Sequence, residues 1–275
     1  MSDKRSVFYL SDRTGITAET LGRSLLTQFD GIKFEHTRWP FLDTEEKAQQ
    51  AVEQINAAAE LDGVPPLVFS TIINRDIREA VRGCHGVLFD FFDTFTGSLE
   101  KTLGQPSLNV SGRSHGMGDY ATYASRIDAL NFSLSNDDGS TTSNYPAADI
   151  ILIGVSRSGK TPTSLYLSLQ FGILAANYPL TEEDLESTRL PERLRPFRDK
   201  LFGLTIDPER LHKIRSERRP DGRYATMRQC EFEIEAAEAM YRAERIRHLN
   251  TTAMSIEEIA TTLIQTAGLQ RRLYT

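Results

Sequence analysis

Cysteine is scarce in this chain. Two cysteines in 275 residues, Cys84 and Cys230, make neither a disulfide framework nor a cysteine metal cluster. A reducing cytoplasm is the simplest setting for such a sequence. Long apolar runs are missing too. The first one, Val7-Phe8-Tyr9-Leu10, is closed by Ser11 and Asp12. It is too short for a signal peptide's apolar segment or for a membrane span, which takes about 20 residues. There is no excess of basic charge: 32 Lys and Arg stand against 38 Asp and Glu, for a net charge of -6. That argues against a nucleic-acid surface as the main business of the protein. Neither nucleic acid nor membrane is therefore an expected partner. Internal repeats and low-complexity segments are absent as well. What is left is the composition of an ordinary globular chain, long enough for one or two domains.

Against this plain background one stretch stands out. Ile150-Ile151-Leu152-Ile153 is an apolar β-branched run, which reads as a buried strand. It passes into Gly154, Val155, Ser156, Arg157, Ser158, Gly159, Lys160 and Thr161, which fit G-x-x-x-x-G-K-[ST] at every fixed position. The residue types suit phosphate. A loop between strand and helix can turn successive backbone N–H groups inward to form an anion-sized nest. Glycine permits the dihedrals and the close approach this needs. Lys160 can carry an ammonium to the outer phosphates, and Thr161 can offer a hydroxyl to Mg²⁺. Pro162 suits the first turn of a helix, and Leu165, Leu169 and Ile173 then recur at helical spacing. An ordinary Gly-rich strand-to-helix turn is the plainer alternative.

The rest of the chain alternates strand and helix. Strands are expected at 7–10, 34–39, 67–71 and 87–92, and helices at 17–29, 44–61 and 74–82. Such alternation implies a largely parallel sheet covered on both faces. Within it Asp12 and Thr14 either line a ligand junction or satisfy their turn. Asp90 either marks a working strand end or caps a helix. The 108–119 loop carries Arg113, His115, Gly116 and Gly118, so His115 is either a proton-transfer or phosphate residue or an exposed loop histidine. A helix over 120–134 would place Ile127, Leu130 and Leu134 on one face. The polar, turn-rich segment 136–144 is the best domain boundary. It divides the chain into an N-terminal α/β domain, 1–145, with a largely parallel sheet, and a C-terminal P-loop kinase-like α/β domain, 146–275. Asp137 and Asp138 in that segment either approach a metal-bound phosphate or form a solvated turn.

Downstream, 181–200 reads as a charged surface excursion. Leu201-Phe202-Gly203-Leu204-Thr205-Ile206-Asp207 is an apolar strand ending in an acid, the arrangement in which Asp207 joins Thr161 in holding Mg²⁺. Asp207 is equally an N-cap for a helix opened by Pro208, and one residue can do both. The basic cluster 215–219 with 221–224 reads either as a phosphate-facing lid or as a solvated helix end. A helix over 230–245 follows, then a strand at 246–250. Ser255-Ile256-Glu257-Glu258 is a capping box that opens a last helix through Ala267.

Three segments together resemble one family. They are Tyr9-Leu10-Ser11-Asp12-Arg13-Thr14-Gly15-Ile16-Thr17-Ala18-Glu19, the 154–167 segment ending Pro162-Thr163-Ser164-Leu165-Tyr166-Leu167, and 201–211 with Asp207-Pro208-Glu209-Arg210-Leu211. With His115-Gly116, Asp137-Asp138-Gly139 and Ala176-Asn177-Tyr178-Pro179, they look like the bacterial phosphoenolpyruvate synthase regulatory proteins, relatives of the pyruvate, phosphate dikinase regulatory proteins. The resemblance implies a bifunctional enzyme. It would phosphorylate a threonine of its target with ADP as donor, inactivating the target. It would also remove that phosphate with inorganic phosphate, releasing pyrophosphate. The implied partners are phosphoenolpyruvate synthase, phosphate and pyrophosphate, with the dikinase as the alternative target and a homodimer as the self-association to test. On this reading Gly154 to Thr161 is the ADP site. Lys160 and Arg157 supply positive charge, and Asp12, His115 and Asp207 are the candidates for orienting the threonine hydroxyl. An N-terminal polar set of Ser11, Asp12, Thr14 and His115 would serve phosphorolysis more than kinase action. The layout also permits an ATP-dependent small-molecule kinase, or a nucleotide-binding switch that docks a partner without transfer.

Overall fold

The computed structural model describes residues 4–110, 120–139, 142–219 and 222–270. The chain forms two compact units, 1–118 and 119–275. Each is an α/β unit on a four-stranded, all-parallel sheet.

In the first unit the order along the chain is β1 (Lys4–Leu10), α1 (Ile16–Leu26), β2 (Lys33–Trp39), α2 (Glu45–Asp62), β3 (Leu67–Ser70), α3 (Arg75–Arg82), β4 (Val87–Asp90) and α4 (Phe91–Leu103). In the second it is α5 (Tyr120–Ser135), β5 (Ile150–Gly154), α6 (Lys160–Phe171), β6 (Ala175–Pro179), β7 (Leu201–Thr205), α7 (Pro208–Arg218), α8 (Met227–Ala243), β8 (His248–Asn250) and α9 (Ile256–Ala267). The strands lie in the order β2-β1-β3-β4 and β6-β5-β7-β8. In both units the first strand sits inside, and the chain then turns back over the sheet in the opposite sense. Ligands of such open sheets bind outside the strand C-termini at that reversal. It falls between β1 and β3 in the first unit and between β5 and β7 in the second.

Parallel strands are covered on both faces and so read as continuous apolar runs. All five residues of β5 are buried, and so are all five of β7. One face of this sheet packs Ile150, Leu152, Phe202 and Leu204 against Leu167 of α6 and Leu263 of α9. The other packs Ile151, Ile153 and Leu201 against Ile234, Met240 and Tyr241 of α8. In the first unit Phe8, Leu10 and Val68 meet Ile55 of α2 and Ile77 of α3 on one side, while Val7, Tyr9 and Phe69 meet Ala18 and Leu26 of α1 on the other.

The structure departs from the sequence-based expectations at several places. Helix α5 belongs with the second unit, so the division falls before it rather than at 136–144. Phe132 of α5 packs on the main core, and beside it Ser133 Oγ lies 2.6 Å from Ser168 Oγ of α6 and donates to the Ala175 carbonyl at 2.5 Å. Ala129 and Ser133 are buried, whereas Leu134 is exposed. Likewise α6 buries Thr163, Ser164, Leu167, Ser168 and Phe171 and leaves Leu169 outside. Small hydroxyl residues let the two helices approach closely, and apolar periodicity is blind to them. Phe91 and Phe92 leave the strand and open α4, because Asp90 Oδ1 accepts from the Asp93 N–H at 2.9 Å as an N-cap. Gly15 takes the cap position of α1, so that helix begins before Thr17. The 181–200 segment buries Leu185, Leu190 and Leu194 in the main core and is no mere surface excursion. The capping box at Ser255 and Glu258 forms as expected. Cys84 and Cys230 are both free thiols. No helix among the described residues is long and apolar enough to cross a membrane.

Candidate functional site

The site is built at the C-terminal end of β5. The strand ends on Gly154 because nothing larger fits. A Cβ there would lie 2.5 Å from the Leu204 carbonyl oxygen of β7 and 2.8 Å from Ser158 Oγ. Backbone cannot yield as a flexible side chain can, so Gly154→Ala is expected to lower the unfolding free energy by about 1–3 kcal/mol. A urea titration that leaves the midpoint unchanged would contradict this close packing.

Beyond Gly154 the loop turns sharply. Arg157 has φ 76° and Gly159 φ 92°, both left-handed. Such a conformation is uncommon for a non-glycine residue and marks a backbone held by its surroundings. Thr251 Oγ1 supplies one hold, donating to the Ser158 carbonyl at 3.2 Å. Helix α6 then starts at Lys160, so its unpaired N-terminal N–H groups and positive dipole end face the loop.

Lys160 is buried and its Nζ donates to the Val155 carbonyl at 2.9 Å. Burial pushes its pKa down to about 8, and Arg215 and Arg157 add to that, while Asp137 and Asp138 pull the other way. Thr161 Oγ1 donates to Asp137 Oδ1 at 2.8 Å. Asn177 of β6 reaches both, its Nδ2 bonding Asp137 Oδ1 and lying 3.0 Å from Thr161 Oγ1. Asp137 is brought to the loop by a turn in which Asp138 and Gly139 both have positive φ, 69° and 61°. A Cβ on Gly139 would meet the Tyr178 ring at 2.7 Å. These groups border a pocket of about 500 Å³ lined by Asp137, Lys160, Thr161, Asn177, Arg157 and Arg218 among others. That size suits a small-molecule ligand.

Mg²⁺ takes oxygen ligands, one or two from protein and the rest from phosphate and water. Thr161 Oγ1 and Asp137 Oδ1 are a donor pair of that kind. No cluster of three or more His, Cys, Asp or Glu able to hold a metal occurs among the described residues.

The other expected residues fall elsewhere. Asp207 is exposed and does not cap α7 with its side chain. Its Oδ1 accepts from Asn250 Nδ2 at 2.8 Å, and its own N–H goes to Thr252 Oγ1. The carboxylate that meets Thr161 is therefore Asp137. Asp12, in the first unit, is buried. Its Oδ2 accepts from the N–H groups of Ile73 and Asn74 at 3.0 and 3.2 Å, tying the loop after β1 to the loop after β3. His115 lies outside the described residues. In the basic cluster, Arg215 is neither lid nor solvated end but completely buried. It bonds Glu233 at 2.6 Å, the Ser156 carbonyl at 3.0 Å and the Tyr224 carbonyl at 3.0 Å. Burial works against its charge, but Glu233's hydrogen bond and negative charge outweigh that and raise its pKa. Arg215 thereby fixes the loop from beneath.

The pocket therefore has a buried cation, a hydroxyl–carboxylate pair and a helix N-terminus around one strand end. These features define an α/β protein equipped to hold a polyanionic ligand at a topological switch point. The chain belongs to the kinase/pyrophosphorylase family, whose profile matches residues 7–264. It is 59% identical over 274 residues, covering 99% of this chain and 100% of the relative, to a protein of Halorhodospira halophila named "Putative phosphoenolpyruvate synthase regulatory protein". Proteins of the same name from Alkalilimnicola ehrlichii and Marinobacter nauticus are 56% and 54% identical, each over 98% of this chain and over 98% and 99% of their own lengths.

Proposed function

We propose that the protein is the regulator of phosphoenolpyruvate synthase, transferring the β-phosphoryl group of ADP to a threonine of that enzyme and removing it again with inorganic phosphate. The observation that carries this reading is the pocket in which Lys160, Thr161 and Asp137 converge at the start of α6. The names of the relatives support the choice of target.

Phosphoryl transfer asks a protein mainly for positioning and for charge around the equatorial oxygens. The backbone of residues 154–161 would cradle the diphosphate, with Lys160 and Arg157 against its oxygens. Mg²⁺, when bound with the nucleotide, neutralises phosphate charge; Thr161 and Asp137 are the residues to hold it. Asp207, exposed at the end of β7, is the candidate base within this unit for orienting the target hydroxyl.

Lys160 gives this reading a pH signature. Phosphate beside its ammonium favours the charged form, so binding raises a pKa that stands at about 8 in the free protein. Near pH 8 the lysine is half protonated, and ADP binding is expected to take up about half a proton. The lysine's share of the uptake falls toward zero by pH 6, and its contribution to affinity weakens as pH rises through 8. Calorimetry in buffers of different ionisation enthalpy measures it. Equal heats in all buffers at pH 8 would remove Lys160 from the phosphate contact.

The assay that tests the function mixes the protein with phosphoenolpyruvate synthase and ADP labelled in its β-phosphate. Label on a synthase threonine, removed by added phosphate as pyrophosphate, is the expected result. Label on a metabolite would instead mark a small-molecule kinase, and binding without transfer a docking switch.

A further inference from the structure

Beside the 154–161 pocket lies a second one of about 300 Å³, lined by Ser156, Arg157, Arg218, Arg219 and Tyr224. Among the described residues no carboxylate lines it. Arg157, Arg218 and Arg219 are all exposed. None has an ion pair among the described residues, although exposed arginines elsewhere in this chain, such as Arg82 and Arg198, do pair with acids. Three like charges around one cavity repel one another, and an anion between them would relieve that repulsion. Arg218 near the end of α7 favours the helix dipole, but the dipole asks nothing of Arg157 on another segment.

The wall behind these arginines is fixed. The buried Arg215 guanidinium lies 4.2 Å from the Tyr224 ring centre and donates to the carbonyls of Tyr224 and Ser156. The Tyr224 hydroxyl and Ser156 Oγ are 2.9 Å apart. One buried cation thus ties α7, the 154–161 loop and the Tyr224 segment together, and Glu233 holds that cation in place.

We infer that this second pocket is an oxyanion subsite for inorganic phosphate, held by Arg157, Arg218 and Arg219. Guanidinium forks match the tetrahedral oxyanion in pairs of N–H bonds. Ser156, Arg157 and Arg218 line both pockets. An anion in each would therefore stand side by side, the juxtaposition that joining two phosphates requires. The inference rests on the proposed phosphorolysis. There an oxygen of hydrogen phosphate attacks the phosphorus of the phosphothreonine. The new P–O–P bond forms, the P–O bond to threonine breaks, and the proton of the incoming phosphate passes to the threonine oxygen. The products are pyrophosphate and the free hydroxyl, with no further reactant. This places the attacking phosphate in the second unit rather than with Ser11, Asp12 and Thr14.

The test measures binding of inorganic phosphate to the full chain by equilibrium dialysis, with and without saturating Mg-ADP, for the wild type and Arg219→Ala. Arg219 lines the second pocket and not the first. Loss of one charge-assisted contact is expected to weaken phosphate binding about tenfold or more. ADP affinity should stay within about threefold, since Arg219 lies outside the nucleotide pocket. Phosphate should still bind the wild type when ADP is present. Unchanged phosphate affinity in a folded Arg219→Ala protein would overturn the subsite. So would complete displacement of phosphate by ADP, or an equal loss of both ligands in the variant. If phosphate binds through Arg219 but phosphorylated synthase yields no pyrophosphate, the subsite stands and the proposed phosphorolysis fails.

Discussion

Replacing Lys160 by methionine is expected to weaken ADP binding and, in the same protein, to raise its stability. The first effect follows from losing a charge-assisted contact to phosphate, worth about 1.5–3 kcal/mol, or roughly ten- to a hundredfold in affinity. The second follows from burial. The lysine is ordinarily charged up to about pH 10.5 when unfolded, but in the folded protein its pKa lies at about 8. The folded state therefore carries a penalty below pH 8 that is relieved as pH rises toward 10.5. Methionine keeps the length and drops the charge, so at pH 7 a gain of roughly 1–3 kcal/mol is expected after allowing for the lost bond to the Val155 carbonyl. Calorimetric ADP titration and denaturant unfolding read the two effects separately. A variant that binds ADP normally would remove Lys160 from the site. One that is clearly less stable would show that its charge is satisfied in the free protein.

The second large effect distinguishes two carboxylates. Asp137→Asn keeps the shape around Thr161 but removes the negative charge next to its hydroxyl. Changing even an outer-shell partner of a metal ligand typically costs 10- to 100-fold in metal affinity, and losing the charge of a ligand itself should cost at least as much. The Mg²⁺ concentration needed for half-maximal kinase rate is therefore expected to rise about 10- to 100-fold. Asp207→Asn should leave that Mg²⁺ dependence as it is, because Asp207 is bonded to Asn250 and not to Thr161. It should lower the rate at saturating Mg²⁺, as loss of a base for the target hydroxyl would. The reverse pattern, with Mg²⁺ dependence shifted only in Asp207→Asn, would return the metal to the end of β7.

Much of this architecture is legible in the sequence, and what is not has physical causes. The strand before Gly154 and the helix after Lys160 are visible because apolar runs and a glycine-bounded loop are local signals. The capping box at Ser255 is local as well. Strand β6 is harder to see: Ala175-Ala176-Asn177-Tyr178-Pro179 carries little β preference and is held by its place next to β5. With it went Asn177, whose amide completes the Thr161–Asp137 cluster. Asp137 lies 24 residues before Thr161, and only a turn with two left-handed residues brings it there. The Asp-Asp-Gly sequence signals the turn without saying what it faces. Arg215 looks like part of a solvated basic run, yet pairing with Glu233 across α8 takes it to the interior. Contacts between distant segments decide all three cases, and composition does not record them.

On the proposed function, one pocket of the second unit holds the phosphates of ADP at residues 154–161, with the metal at Thr161 and Asp137. The most direct measurement is a crystal structure of the full chain grown with ADP and Mn²⁺, the metal located by its anomalous scattering. The diphosphate is expected against the 154–161 backbone and Lys160, and the anomalous peak beside Thr161 Oγ1 and Asp137. A peak beside Asp207, or a nucleotide bound away from the 154–161 loop, would contradict it.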